Sequence, residues 1–275
     1  RDLAMCLAIG MTPQDFMMSL FGKAGEPTSG ARQMPSHWSS RENNMLSMSS
    51  PVATQVPQAA GLAFAIKYRL SQGLQKPDDA TMPRLALTSL GEGSTSQGEW
   101  HEGMNWAGVH DLPFICLVEN NIYAISVPME QQMAVTNVAD RAAAYGVAGV
   151  IVDGNDILAS YDAMVLARNR AYTGKGATLV EAKTYRPVPH SSDDDDRSYR
   201  SREEVQEWKQ KDPIIRFQET LMERGILSES MVEDYEAKAR RMIDDGQKFT
   251  EDAPYPEVAP SLDPNSVYAP TQESR

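Results

Sequence analysis

Two side chains in this 275-residue sequence most directly combine a reactive type with a telling spacing, Glu92 and Asn121. Glu92 is the centre of Gly91-Glu92-Gly93, just after the apolar run "RLALTSL"; Asn121 closes an Asn-Asn pair after "PFICLVEN". Between them "TSQGEWHEGMNWAGV" reads as a helix, so strand, helix and strand form a βαβ unit, parallel and right-handed in nearly all cases. Ligands of open parallel sheets bind outside the carboxyl ends of the strands, where both residues sit. The Glu92 carboxylate, the Asn121 amide oxygen and the Tyr123 carbonyl would present a few hard oxygens, a set that suits magnesium, which keeps its other positions for water and substrate phosphates. Gly93 lets backbone approach a ligand closely, and a helix starting near Ser94 would turn N–H groups and its positive end toward an anion. Taken singly, Gly-Glu-Gly is a common turn and Asn-Asn a capped loop. Together, about thirty residues apart, they favour a magnesium-diphosphate site.

The remaining elements must hold that unit. "AGVIVDG", "DILASYDAMVLARNRAYT" and "ATLVEAKTYR" supply another strand, helix and strand, so the expected fold class is α/β, a mostly parallel sheet with helices on both faces. Residues 1–22 read as helical, with Thr12 as N-cap, Pro13 at the first helical position and Gly22 as the stop. Residues 23–50 form a long Gly-, Pro- and Ser-rich loop, a length usually tied to function. "PQAAGLAFAIKYRL" is apolar nearly all round and predicts a helix buried on several sides. After a polar loop at 186–202, two segments between 202 and 249 read as amphipathic helices. The domain expectation is one α/β domain over 1–250 and a Pro-rich, extended tail over 251–275.

A net charge of −12 and a pI near 4.8 argue against nucleic-acid and membrane-surface partners. Cys6 and Cys116, each inside an apolar run, read as buried thiols in a reducing compartment. The chain opens without Met, directly on an amphipathic pattern, and reads as lacking earlier residues.

The pairing of Gly-Glu-Gly with Asn-Asn resembles the thiamine diphosphate-binding motif. Its context, "GEGSTSQGEWHEGMNWAGVHDLPFICLVENNIYAIS", with "RQMPSHWSSRENN", "SSPVATQVPQAAGLAFA" and "TYRPVPHSSDDDDRSYR", resembles the α subunits of 2-oxo acid dehydrogenases over most of residues 1–220. That resemblance implies the thiamine diphosphate-binding fold and a magnesium ion on Glu92, Asn121 and the Tyr123 carbonyl, with Gly93 and Ser94 beside the diphosphate. It implies Arg1 on the diphosphate, Ser50 and Val52 against the aminopyrimidine, and His190 as the active-site loop histidine. Ser49, Pro51, Thr54 and Gln55 match a segment that binds potassium in branched-chain members, although Ser49 or Ser50 could equally cap the following helix. Ser191 matches a serine phosphorylated in mitochondrial relatives. Glu119 stands where some branched-chain enzymes carry arginine. His37, His101 and His110 are expected to be structural or surface residues, with His37 in a loop that faces the site in the family.

Four consecutive aspartates, Asp193 to Asp196, repel one another unless cations organise them. Arg186, Arg197 and Arg200 flank them, which predicts an ordered, arginine-tethered loop closing over the cofactor. The implied activity is decarboxylation of a 2-oxo acid and transfer of the acyl group to the lipoyl-bearing acyltransferase core. "HSSDDDD" is closer to the branched-chain (2-oxoisovalerate) type than to the pyruvate type; a pyruvate or acetoin dehydrogenase α subunit and a non-catalytic assembly subunit are the alternatives. The implied partner is a β subunit in an α2β2 heterotetramer that supplies the activating glutamate. A cytoplasmic, bacterial setting is favoured, with the mitochondrial matrix as the other.

Overall fold

The computed structural model describes residues 3–79 and 82–257. Two compact units are present, Pro51–Leu227 and a second formed by the segments Arg1–Ser50 and Ser228–Arg275.

In the larger unit, β1 (Ala86–Gly91), β2 (Phe114–Asn120), β5 (Ala148–Asp153) and β6 (Thr178–Lys183) form a four-stranded sheet of order β1-β2-β6-β5. All three pairings are parallel; β1 with β2 and β5 with β6 are the two βαβ units read from the sequence, and β2 with β6 joins them. Gly91 is in register with Glu119, so the chain leaves β1 beside the Asn120-Asn121 pair. Apolar residues dominate β2, and alternation sends Phe114, Cys116 and Val118 to one face and Ile115 and Leu117 to the other. Onto the first face pack α3 (Gln55–Ser71) and α4 (Gly98–Val109), through Val56, Ala60, Ala63, Trp100, Met104 and Ala107. Onto the other packs α6 (Ile157–Tyr172), through Ala163 and Ala167. The small side chains of Ala163 and Ala167 let the α6 backbone lie close to the sheet. Gly108 serves a different close approach, of α4 to the segment before β5: a Cβ there would fall 1.9 Å from the Tyr145 carbonyl oxygen.

Four local expectations change. The helix after Glu92 does not start at Ser94: residues Glu92–Ser96 form a 3-10 turn, Gln97 is extended (ψ 145), and α4 begins at Gly98. The extended Gln97 interrupts the helical hydrogen bonds between the two. α3 begins at Gln55 with Thr54 as N-cap and no side-chain capping bond, so neither Ser49 nor Ser50 caps it. It also leaves Leu62, Phe64 and Tyr68 exposed, so its burial is one-sided. Finally, 202–225 is two helices, α7 (Arg202–Lys209) and α8 (Pro213–Glu223), because Pro213 cannot continue a helix and starts a new one behind Asp212 as N-cap. Between β2 and β5 lie the hairpin β3 (Tyr123–Ala124) and β4 (Val127–Pro128), α5 (Met129–Gln132) and a 3-10 stretch, Val138–Tyr145.

The second unit holds α1 (Leu3–Ala8), α2 (Pro13–Leu20) and α9 (Glu229–Asp252). Thr12 caps α2 as expected, in a capping box with Asp15. Phe16 meets Trp38 edge-on at 4.5 Å in its core. Buried Lys23 donates to the Glu251 and Ala253 carbonyls, closing the end of α9. Helix α9 runs to Asp252, past the expected boundary at 250, and most of the expected tail (258–275) lies outside the described residues. Cys6 and Cys116 are buried and in no disulfide; burial pushes the Cys116 thiol up to about 12.

Candidate active site

Glu92 heads the 3-10 turn at the end of β1 and is 1% exposed. Its Oε2 accepts the Asn121 backbone N–H at 3.2 Å, which ties the ends of the two strands together. Its Oε1 is buried with no hydrogen-bond partner among the described residues. Burial raises this carboxyl above its ordinary value, against the opposing effects of backbone N–H groups and the Arg186 charge. A buried carboxylate with an unsatisfied oxygen is expensive unless something cationic meets it. The turn is held by Thr95, whose hydroxyl donates to the Glu92 carbonyl at 2.6 Å while Arg141 donates to the Thr95 carbonyl and hydroxyl.

The two asparagines divide the work. Asn120 is fully buried: its amide donates to Glu181 Oε1 at 2.6 Å and its Oδ1 accepts the Ile122 N–H. Asn121 is half-buried, and among the described residues its Oδ1 accepts the Tyr123 N–H, at 3.3 Å. Ile122 (φ 65) and Ile125 (φ 58) lie in the left-handed region on either side of Tyr123. For a β-branched residue that conformation is a real outlier, and such strain concentrates at functional sites. The Tyr123 carbonyl accepts from Arg186 Nη1 at a long 3.4 Å, and a carbonyl has two lone pairs. The donor set is therefore a carboxylate with an unmatched oxygen, a lightly used amide oxygen and a carbonyl. It fits magnesium, and the fit rests on the Glu92 Oε1 orphan.

Gly93 is required for a reason other than ligand approach: a Cβ there would meet the Ala124 Cβ at 2.7 Å. Ser94 is half-buried within the 3-10 turn, without the helix end expected behind it.

The loop at 186–202 has the expected arginine tethers. Arg197 pairs with Asp195 at 2.7 Å, and buried Arg200 with buried Asp196 at 2.7 Å, joined by Arg202 at 3.1 Å. Arg197 holds the Asp195 carboxyl down at about 2. Asp194 takes the Tyr199 hydroxyl at 2.6 Å and the His190 N–H at 2.8 Å. Arg186 donates to the Ile125 carbonyl at 2.6 Å and to the Tyr199 hydroxyl at 3.3 Å. A continuous chain of contacts thus runs from the Tyr123 turn through Arg186, Tyr199 and Asp194 to the backbone of His190, whose ring is exposed. Ser191 is exposed, and its carbonyl accepts the Asp194 N–H.

Of the other expected site residues, Arg1 lies outside those described. In the second unit Ser50 meets His37, whose Nδ1 faces the Met34 and Pro35 carbonyls at 3.0 and 3.1 Å while Nε2 meets Ser50 Oγ at 2.6 Å. Carbonyls only accept, so Nδ1 carries a proton, and Nε2 shares a hydrogen bond with the Ser50 hydroxyl. His37 is therefore structurally engaged, and Ser49 lies beside this pair in the chain. In the larger unit Val52 is exposed, Thr54 donates to the Pro51 carbonyl at 3.0 Å and Gln55 to the Ser89 carbonyl at 3.0 Å. Glu119 faces away from Asn120 across the strand alternation.

Sequence reasoning passed over Glu181, Arg141 and Glu204. Glu181 is fully buried, and it accepts from Asn120, from the Ala139 N–H at 2.8 Å and from Lys183 at 2.7 Å. An acid inside the apolar strand "ATLVEAK" was the available signal.

A family model described as "Dehydrogenase E1 component" matches residues 1–259. The chain is 47% identical over 269 residues to the 2-oxoisovalerate dehydrogenase subunit alpha of Bacillus subtilis (strain 168), covering 98% of this chain and 78% of the relative. It is 39% identical over 226 residues to the 3-methyl-2-oxobutanoate dehydrogenase subunit alpha of Mycobacterium tuberculosis (strain ATCC 25618 / H37Rv), covering 78% of this chain and 59% of the relative. It is 37% identical over 254 residues to the mitochondrial 2-oxoisovalerate dehydrogenase subunit alpha of Homo sapiens, covering 92% of this chain and 54% of the relative.

Proposed function

Because this chain belongs to the dehydrogenase E1 component family, we propose that it is the α subunit of a branched-chain 2-oxo acid dehydrogenase acting on 2-oxoisovalerate. Family membership implies dependence on thiamine diphosphate, and the names of the relatives support the substrate. The observation that carries the site is the buried, partnerless Glu92 Oε1 beside Asn121 at the ends of two parallel strands.

In this reading Glu92, Asn121 and the Tyr123 carbonyl hold magnesium against the cofactor's diphosphate. Gly93 and Ser94 lie beside it, Ser50 and Val52 meet the aminopyrimidine, and Arg1 adds a cation to the diphosphate. When bound, the cofactor supplies the carbon nucleophile and the electron sink for decarboxylation. His190 is carried on a loop whose backbone is tethered by Asp194, so its imidazole can be presented to the reacting group without ordering the whole loop at that moment. Pro51, Thr54 and Gln55, with Ser49, are the proposed potassium ligands. Phosphate on Ser191 would add charge beside Asp193 to Asp196 and compete for the arginines that order the loop. A β subunit completes an α2β2 assembly that passes the acyl group to a lipoyl-bearing acyltransferase. No described helix is long and apolar enough to cross a membrane, and a bacterial cytoplasmic setting is part of the same proposal.

The test is reconstitution with the β subunit and comparison of kcat/KM for 2-oxoisovalerate and pyruvate. A clear preference for pyruvate sinks the substrate assignment. Calorimetry of thiamine diphosphate with magnesium tests the site: a signal in the unsubstituted protein that disappears in Glu92→Ala supports it.

A further inference from the structure

The turn that offers the Tyr123 carbonyl is bracketed by two strained residues, Ile122 and Ile125. Strain of that kind persists only where the surroundings over-determine it. Arg186 grips the Tyr123 and Ile125 carbonyls from the loop side. The other grip is on the Tyr123 ring, which is buried and whose hydroxyl donates to both carboxylate oxygens of Glu204 at 3.1 Å. Tyr185 donates its hydroxyl to the same carboxylate at 2.9 Å. Tyr123 and Tyr185 meet edge-on, and Tyr185 stacks on Trp208 at 5.1 Å with 1° between the planes.

Glu204 also departs from what its local position dictates. It is the third residue of α7, behind the N-cap Ser201, where a glutamate ordinarily folds back to its own cap. Only half of that arrangement exists: Ser201 Oγ accepts the Glu204 N–H at 3.0 Å, while the carboxylate turns to the tyrosines. A local interaction is thus given up for a distant one, 81 residues away in sequence.

We infer that Glu204 is a positioning residue for the magnesium-binding turn, anchoring the Tyr123 ring so that its carbonyl stays aimed at the ion. This rests on the proposed function, since it assumes that the turn holds magnesium. Groups behind metal ligands commonly change metal affinity by about 10–100-fold when removed. In this inference Glu204 acts on the turn through its hydrogen bonds to the Tyr123 hydroxyl, with Tyr185 sharing the same carboxylate.

The experiment is a magnesium titration of thiamine diphosphate binding, followed by calorimetry in the α subunit assembled with its β subunit. Glu204→Ala and Tyr123→Phe are each expected to raise the half-saturating magnesium concentration by about tenfold or more. The double variant should be no worse than either, because both break one link. Glu204→Gln, which can still accept a phenol, should recover part of the loss, and Tyr185→Phe should leave the midpoint within about twofold. In metal-free protein, amide hydrogen exchange at 121–125 should quicken in Glu204→Ala and Tyr123→Phe. A lowered melting temperature with an unchanged magnesium midpoint and unchanged exchange would make Glu204 an ordinary packing residue and overturn the inference. If Glu204→Ala does not assemble, Tyr123→Phe and Glu204→Gln decide the same point. Absence of any magnesium-dependent binding in the unsubstituted protein would overturn the functional reading itself, and this inference with it.

Discussion

Glu92→Gln should make the metal-free protein more stable while destroying its response to magnesium. In the structure Glu92 is 1% exposed, one oxygen accepts the Asn121 N–H, and the other has no partner. A buried polar group left unsatisfied costs about 1–3 kcal/mol, more when charged. Glutamine keeps the acceptor for Asn121 and removes the charge, although its own amide is still buried. The net gain should be about 1–2 kcal/mol, or roughly 2–8 °C in Tm for a domain of this size. Magnesium and thiamine diphosphate at a hundred times Kd add about 2.7 kcal/mol to the unsubstituted protein and nothing to the variant. The order of stability should therefore reverse between EDTA and the loaded state, read by scanning calorimetry of the assembled protein. The pH dependence has a definite sign. Burial raises the Glu92 carboxyl in the folded state, so its favourable contribution is complete below the ordinary value of 4.5 and is lost as pH rises through the folded value. The advantage of glutamine should accordingly shrink as pH falls. A variant that is less stable in EDTA, or that gains as much as the parent from cofactor and magnesium, would refute the reasoning.

Glu181→Ala should cost about 3–5 kcal/mol, because it strands Asn120, the Ala139 N–H and the Lys183 ammonium around a buried carboxylate site; denaturant unfolding measures it. Gly108→Ala forces a Cβ to within 1.9 Å of the Tyr145 carbonyl oxygen, so it should destabilise by about 3 kcal/mol or more, seen as a fall in Tm with unchanged secondary structure. Asp196→Asn weakens the contacts to Arg200 and Arg202, and limited proteolysis should cut within 186–202 faster than in the parent while α6 and the sheet stay protected.

The βαβ units were legible because period-two and period-3.6 patterning, with Gly and Pro stops, is local information. Thr12 as a cap and the arginine-ordered aspartates were legible for the same reason, since their partners are a few residues away. Ser94 was misread because helix onset was judged from composition, whereas the extended Gln97 and the bonds on Thr95 from Arg141 set a 3-10 turn first. Glu181 reads as an anomaly in an apolar strand, but its partners, Asn120 and Ala139, come from segments that only the sheet brings together.

By itself, then, the sequence determined that Glu92 and Asn121 follow the ends of neighbouring parallel strands, because residue type and strand order are enough for that. Only the tertiary structure decided what keeps them there. Glu204 could have served its own helix cap and instead holds Tyr123 from 81 residues away, and Glu92 keeps one oxygen unmatched in the core. Neither choice is visible locally, because each is settled by which polar groups must share a buried space once the chain has folded.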